Sequence, residues 1–324
     1  MQTLWQKAFI PALFTSMATF RARRVNNYDL FSNHAWYVPG VKGMFALLGW
    51  FLVGVLISAM VQMLLLGFLP MKTVLDYGMI ILYPLYFLPA MMYVARKSRM
   101  NSLFETGYKL SSNNFGPFKW WLIALITVVL TFSMMISADL PNYLNFKFTT
   151  SIPWLKKFYD YFVDAMSMIT GGPFWSSFLV TAIFAPFFEE WLCRGMILRG
   201  LLTKIKPAWA IIISALFFAL IHMNPWQALN AFIIGVVMGV VYYRTGNLFL
   251  TMLIHFVNNG FAVIMTRLTS SEEADYFINM MDKGMYAVVY CLGLIVLAAC
   301  LYAFCRIPLQ QERGNIDEVI LEVE

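Results

Sequence analysis

Charge is the first thing this chain lacks. Only 12% of its 324 residues are Asp, Glu, Lys or Arg, about half of the roughly 25% usual in a soluble domain. With 60% hydrophobic residues, that excludes a soluble globule and predicts a polytopic membrane protein. Cysteine is scarce too. Cys193, Cys291, Cys300 and Cys305 lie in or beside apolar segments. None has CxxC metal spacing and none sits in a long polar loop, so neither a zinc knuckle nor a disulfide framework is expected. The sequence has no HExxH and no GxSxG, so the helix-borne zinc-protease motif and the nucleophile elbow are absent. The N-terminus lacks a charged start followed by a short apolar core and a small-residue cleavage site, so no cleavable signal peptide is expected. The net charge of +6 is read as basic loops that orient helices, not as a nucleic-acid surface.

Apolar runs are what the chain has in abundance. A spanning helix takes about 20 apolar residues. By that rule there are eight candidates: 43–68, 74–95, 118–138, 173–203, 208–223, 226–243, 247–266 and 284–305. The expected fold is all-α, with helices four to seven as its core. The second candidate carries Pro84 and Pro89 and is expected to kink. The fifth and sixth are short, parted by Asn224 and Pro225, and read as a tight hairpin. Residues 1–24 read as an amphipathic interfacial segment and the tail after Arg306 as short, acidic and disordered. The chain divides into an N-terminal segment 1–42, accessory helices and an outer loop 43–172, a core 173–266, and a last helix with its tail 267–324.

Lys and Arg concentrate on the cytoplasmic side of membrane proteins. With the N-terminus inside, sixteen fall on inside segments, six on outside ones, and Arg194 within a span. Both termini are therefore expected in the cytoplasm, with a prokaryotic plasma membrane as the setting. Membrane lipid is an expected partner, nucleic acid is not.

Ionisable residues inside spans are costly and mark function by default. The fourth candidate holds two adjacent acids, Glu189 and Glu190, with Arg194 four residues after the second. Of three histidines, His34 lies in the N-terminal loop and reads as solvated. His222 ends the fifth candidate, and His255 lies in the seventh with Asn259 one turn on. Glu189 lies sixteen residues before position 205 and His222 seventeen after it. At 1.5 Å per residue both are ~25 Å from that turn, so antiparallel neighbours would hold them level. Glu190 and Arg194, at i and i+4, can pair on one face, while Glu189 points about 100° away. Ala231, Gly235 and Gly239 form a small-residue face that favours close helix packing, and could bring the fifth and seventh candidates together.

Glu, two His and Asn meeting inside a membrane suit hydrolysis. A carboxylate can act as general base on water, imidazole can orient that water, and His and Asn donors can stabilise an oxyanion. Two His and one Glu are also a ligand set for catalytic zinc. The sequence leaves carboxylate-activated and metal-activated water both open. The metal set would be Glu189, His222 and His255, on a divalent ion such as Zn2+.

Glu189-Glu190-x-x-x-Arg194, then Phe218-x-x-x-His222, then His255-x-x-x-Asn259 resembles the CPBP family. These are the CAAX-protease and bacteriocin-processing intramembrane endopeptidases, also called Abi proteins, similar in core fold to the Ras-converting CAAX endopeptidase. The resemblance covers about residues 173–266. It implies Glu189 as the base, His222 as a positioner of water, and His255 and Asn259 as oxyanion stabilisers, or His255 as a metal ligand. It implies Glu190 and Arg194 as supports and Phe218 as a lining residue. The substrate would be a membrane-associated peptide or protein, prenylated or bacteriocin-like. A non-catalytic scaffold or bacteriocin-immunity protein on the same fold is the alternative. A proton-coupled transporter is the third reading, weakened by the lack of inverted repeats.

Overall fold

The computed structural model describes residues 37–98, 115–170, 172–202, 204–222, 224–268 and 276–308. The amphipathic reading of 1–24, the placement of His34 and the acidic tail lie outside them. The regular elements are all helical: α1 Val41–Phe68, α2 Met71–Tyr77, α3 Met79–Lys97, α4 Trp120–Ser151, α5 Pro153–Thr170, α6 Phe174–Leu202, α7 Pro207–Ile221, α8 Pro225–Thr245, α9 Leu248–Leu268, α10 Phe277–Met280 and α11 Lys283–Cys305.

Seven of these, α1, α3, α4, α6, α8, α9 and α11, are long and apolar enough to cross a membrane. The eighth apolar run expected from the sequence is α7, a shorter apolar helix. It has 15 residues, ~22 Å at 1.5 Å per residue, against a hydrocarbon core of about 30 Å. It stops because Pro225 must begin a new helix, and Asn224 caps that helix by accepting from Trp226 N at 3.0 Å. α7 and α8 thus form a hairpin that starts and finishes at one end of the bundle. The first and last described residues lie at that same end. Arg199 donates to the carbonyl of Tyr37, and Arg244 to those of Cys305 and, at 2.8 Å, Ile307.

Close contacts set the neighbours. α1 packs antiparallel on α3, where a Cβ on Gly54 would collide with Tyr86 O and Ser58 Oγ donates to Leu82 O at 3.1 Å. α4 packs on α11, tied by Tyr286 Oη donating to Asp139 at 2.9 Å. The small-residue face of α8 meets α7: a Cβ on Gly235 would stand 3.0 Å from the Ala215 backbone and one on Gly239 2.8 Å from Ile211. Pro84 and Pro89 both lie inside α3.

α6 is not a uniform α-helix. Leu179–Phe184 and Trp191–Leu198 are wound as wider π turns, on either side of an α segment Ala185–Glu190. Such turns are rare and gather at functional sites. Carbonyls in both turns accept from other helices, Thr181 O from Asn259 Nδ2 at 2.9 Å and Cys193 O from Ser214 Oγ at 3.0 Å.

Gly235 gives a direct check. Gly235→Val should push α8 from α7 and lower stability by about 1–3 kcal/mol, as overpacking does. Gly49→Ala, whose Cβ meets nothing within 4 Å, should be neutral or stabilising by up to about 1 kcal/mol. Thermal unfolding of the detergent-purified variants distinguishes the two. Equal melting would contradict the close α7–α8 packing.

Candidate active site

Arg194 is fully buried. Its Nη1 donates to Glu190 Oε1 at 2.6 Å and its Nη2 to Gly235 O at 3.1 Å. The guanidinium also lies over the Phe218 ring, 4.5 Å from its centre. The pair expected from i, i+4 spacing therefore forms, and it reaches across to α7 and α8. A desolvated cation over a ring is worth about 2 kcal/mol or more. A Cβ on Gly235 would stand 3.4 Å from Arg194 Nη2, so the glycine is needed for the Ala215 contact and not for the arginine.

Glu190 Oε1 also receives His255, whose Nδ1 lies 3.1 Å away. A carboxylate accepts only, so Nδ1 carries the hydrogen and a neutral His255 presents a bare Nε2. His222 reaches the same state by another route. Its Nδ1 lies 2.8 Å from Phe218 O, one turn back in α7, and a carbonyl likewise accepts only. Each Nε2 lies 3.9 Å from Glu189 Oε2. The equal depth expected for Glu189 and His222 is what the structure has.

In both glutamates Oε2 is buried with no hydrogen-bond partner. They differ in setting: Glu189, whose Oε1 accepts from the Tyr83 hydroxyl, lines the cavity and Glu190 does not. A buried carboxylate oxygen without a donor is costly, and that of Glu189 faces the cavity between two imidazole nitrogens. Tyr83 is a member of the site that the sequence reading missed. It lies on α3, 106 residues away in the chain, and is placed by packing of Phe87 on Phe188, ring centres 5.3 Å apart. No spacing rule could have found it.

Glu189, His222, His255, Asn259, Phe218 and Tyr83 all line one cavity of about 400 Å3. Asn259 is held at both ends of its amide: Nδ2 donates to Thr181 O at 2.9 Å, and Oδ1 accepts from Asn258 at 3.0 Å. One Nδ2 hydrogen is thus committed and one remains. A second space of about 280 Å3 adjoins, sharing Gln227, Asn230, Asn258 and Ala262 with the first. The amides of Asn142 and Asn230, bonded at 2.9 Å, also line it.

The metal set named from sequence is tested by the same geometry. The bare Nε2 atoms suit a ligand role, but among the described residues no three or more His, Cys, Asp or Glu are grouped so as to hold a metal ion.

Fold and site together define an integral membrane protein with its reactive groups inside the helix bundle. Residues 171–261, the segment carrying all three motifs, match the family Rce1-like, Type II CAAX prenyl endopeptidase Rce1-like. No curated protein and no solved structure matches the chain.

Removing one partner of a buried ion pair costs about 3–5 kcal/mol, so Arg194→Ala should lose most folded protein on a thermal ramp in detergent. Arg194→Lys should restore little of it, because an ammonium lacks the planar fork that bonds Glu190 and Gly235 while stacking on Phe218. Wild-type melting of both would remove Arg194 as the clamp.

Proposed function

We propose that the protein is an intramembrane endopeptidase in which Glu189 activates water for attack on a peptide bond of a membrane-associated substrate. The observation that carries this is Glu189 Oε2, a buried acceptor without a donor, facing two bare imidazole nitrogens across a cavity large enough for water and a peptide bond. Water there has two hydrogens to give and three acceptors to receive them.

Tyr83 holds Glu189 by Oε1, so Oε2 takes the proton. The water oxygen bonds to the carbonyl carbon and its proton passes to Glu189. The Asn259 Nδ2 hydrogen not used by Thr181 stabilises the oxyanion. Glu189 returns its proton to the leaving nitrogen, the C–N bond breaks, and an acid and an amine leave with Glu189 a carboxylate again. His222 orients the water, Phe218 forms the wall between the two imidazoles, and Glu190 with Arg194 sets the position of His255. This sequence of steps runs on the chain's own groups. A prenylated CAAX peptide, as in the family's description, is one substrate candidate, and a bacteriocin-like or lipid-anchored peptide is another. The setting we propose is a prokaryotic plasma membrane, with both termini cytoplasmic.

Substrates can be found by comparing membrane peptides of a deletion strain with its parent. Purified wild type should cleave them and Glu189→Ala should not, with a rate loss of at least about 10²-fold for a lost general base. Equal cleavage by both would sink the proposal. Tyr83→Phe should fold normally and lose about 10- to 100-fold in kcat, since a hydrogen bond to a charged group is worth about 1.5–3 kcal/mol. Chelators should leave the rate unchanged. Loss of cleavage in chelator, restored by added Zn2+, would overturn the metal-free reading.

A further inference from the structure

The cavity lies mainly to one side. On α3, α6 and α9 its lining residues lie between the Glu189 level and the same end of the bundle, while on α7 Phe218 lies one turn to the other side of His222. On α6 they run from Ser176 to Glu189, on α8 from Gln227 to Ile234, and on α9 from His255 to Ala262. On α3 they stop at Tyr83, four residues from its start. The adjoining space continues the same way, to Thr266 near the end of α9 and to Tyr276 and Met280 beyond it. Below Glu189 the bundle is closed by a core that includes Trp191, Met196, Leu201, Tyr243 and Leu248.

The two ends of the bundle differ in charge. At the closed end Lys42 begins α1, Arg96 and Lys97 finish α3, and Lys119 precedes α4. Arg199 closes α6, Lys204 and Lys206 form the α6–α7 turn, Arg244 ends α8, and Arg306 follows α11. Among the described residues that end carries no Asp or Glu. The open end mixes Lys72, Lys147 and Lys283 with Asp76, Asp139 and Asp282. It also carries α5, with Lys156 and Asp160 paired at 3.0 Å and Trp154, Phe158 and Tyr161 exposed. Exposed aromatics beside lysines are the pattern of a helix lying in a membrane interface. Excess Lys and Arg mark the cytoplasmic side.

We infer that the Glu189 cavity opens to the outer, non-cytoplasmic face of the membrane, and that its substrate is a peptide presented there after export. This rests on the endopeptidase reading for what is cleaved, but not for which side is open. The substrate class follows from access. A lipid-anchored or membrane-spanning peptide whose scissile bond lies in the outer leaflet reaches Glu189 along Gln227, Asn230 and Asn258, whose amides can bond its backbone. A prenylated C-terminus in the cytoplasm meets the closed core instead. The reaction that supplies the substrate is therefore a translocation step.

Labelling of single cysteines tests this without any cleavage assay. The full chain carries Cys291→Ala, which removes the one exposed native thiol. Into it go Ser177→Cys or Gln227→Cys in the cavity, Lys156→Cys on α5, and Lys204→Cys at the closed end. Spheroplasts are treated with a membrane-impermeant maleimide, intact or permeabilised. The expected result is full labelling of positions 177, 227 and 156 in intact spheroplasts with no gain on permeabilisation. Position 204 should label only after permeabilisation. Labelling of 177 and 227 only after permeabilisation, or only by a lipid-soluble maleimide, overturns the proposal. Lys156→Cys leaves the cavity untouched and reports the side even if a cavity variant fails to fold. If 156 labels only after permeabilisation, the proposal is overturned. An uncleaved substrate panel with outward labelling would count against the protease reading alone.

Discussion

The buried guanidinium of Arg194 is where the bundle meets. It bonds the carboxylate of Glu190 on its own helix, the Gly235 carbonyl on α8 and the face of Phe218 on α7. Through Glu190 Oε1 the same cluster reaches His255 on α9. A single charge thus fixes four helices at one depth. In a water-poor interior such a charge has no alternative partners, and losing one leaves the others uncompensated. The geometry of the candidate site inherits that rigidity. Phe218, pressed under Arg194, also stands 4.8 Å from His222 and 5.5 Å from His255, ring centre to ring centre.

The two glutamates illustrate how adjacent residues of one type come to differ. Glu190 is fully buried and receives a guanidinium and an imidazole. Glu189, one residue and about 100° away, has only the Tyr83 hydroxyl on one oxygen and no donor on the other, which is buried beside the two imidazoles. The π turns on both sides of Ala185–Glu190 let α6 change its winding there, and side chains of α7 and α9 hold the widened carbonyls. Rigid clamp on one face and reactive atom on the other is the division of roles that we propose for catalysis.

The ends of the bundle complete the picture. Arg199 and Arg244 spend their donors on carbonyls of the first and last described segments, which seals one end. The other end keeps its amide side chains exposed to a cavity. The end that Arg199 and Arg244 seal carries no Asp or Glu among the described residues.

Much of this was legible in the sequence because it depends on local rules. Low charge and long apolar runs determined an all-α membrane protein. The i, i+4 spacing determined that Glu190 pairs with Arg194 and Glu189 does not. Counting from the 204–207 turn put Glu189 and His222 at one level, since rise per residue is fixed along a helix. Three motifs in order pointed to the CAAX-protease family. Only the tertiary structure decided what depends on contacts between distant segments. It put Tyr83 on Glu189, closed Gly235 and Gly239 on α7, and made α7 shorter than the other apolar helices. It committed one hydrogen of Asn259 to Thr181 and turned both Nε2 atoms toward one free carboxylate oxygen. Periodicity tells which face of a helix a residue occupies, but which helix that face will meet is set by packing of the whole bundle.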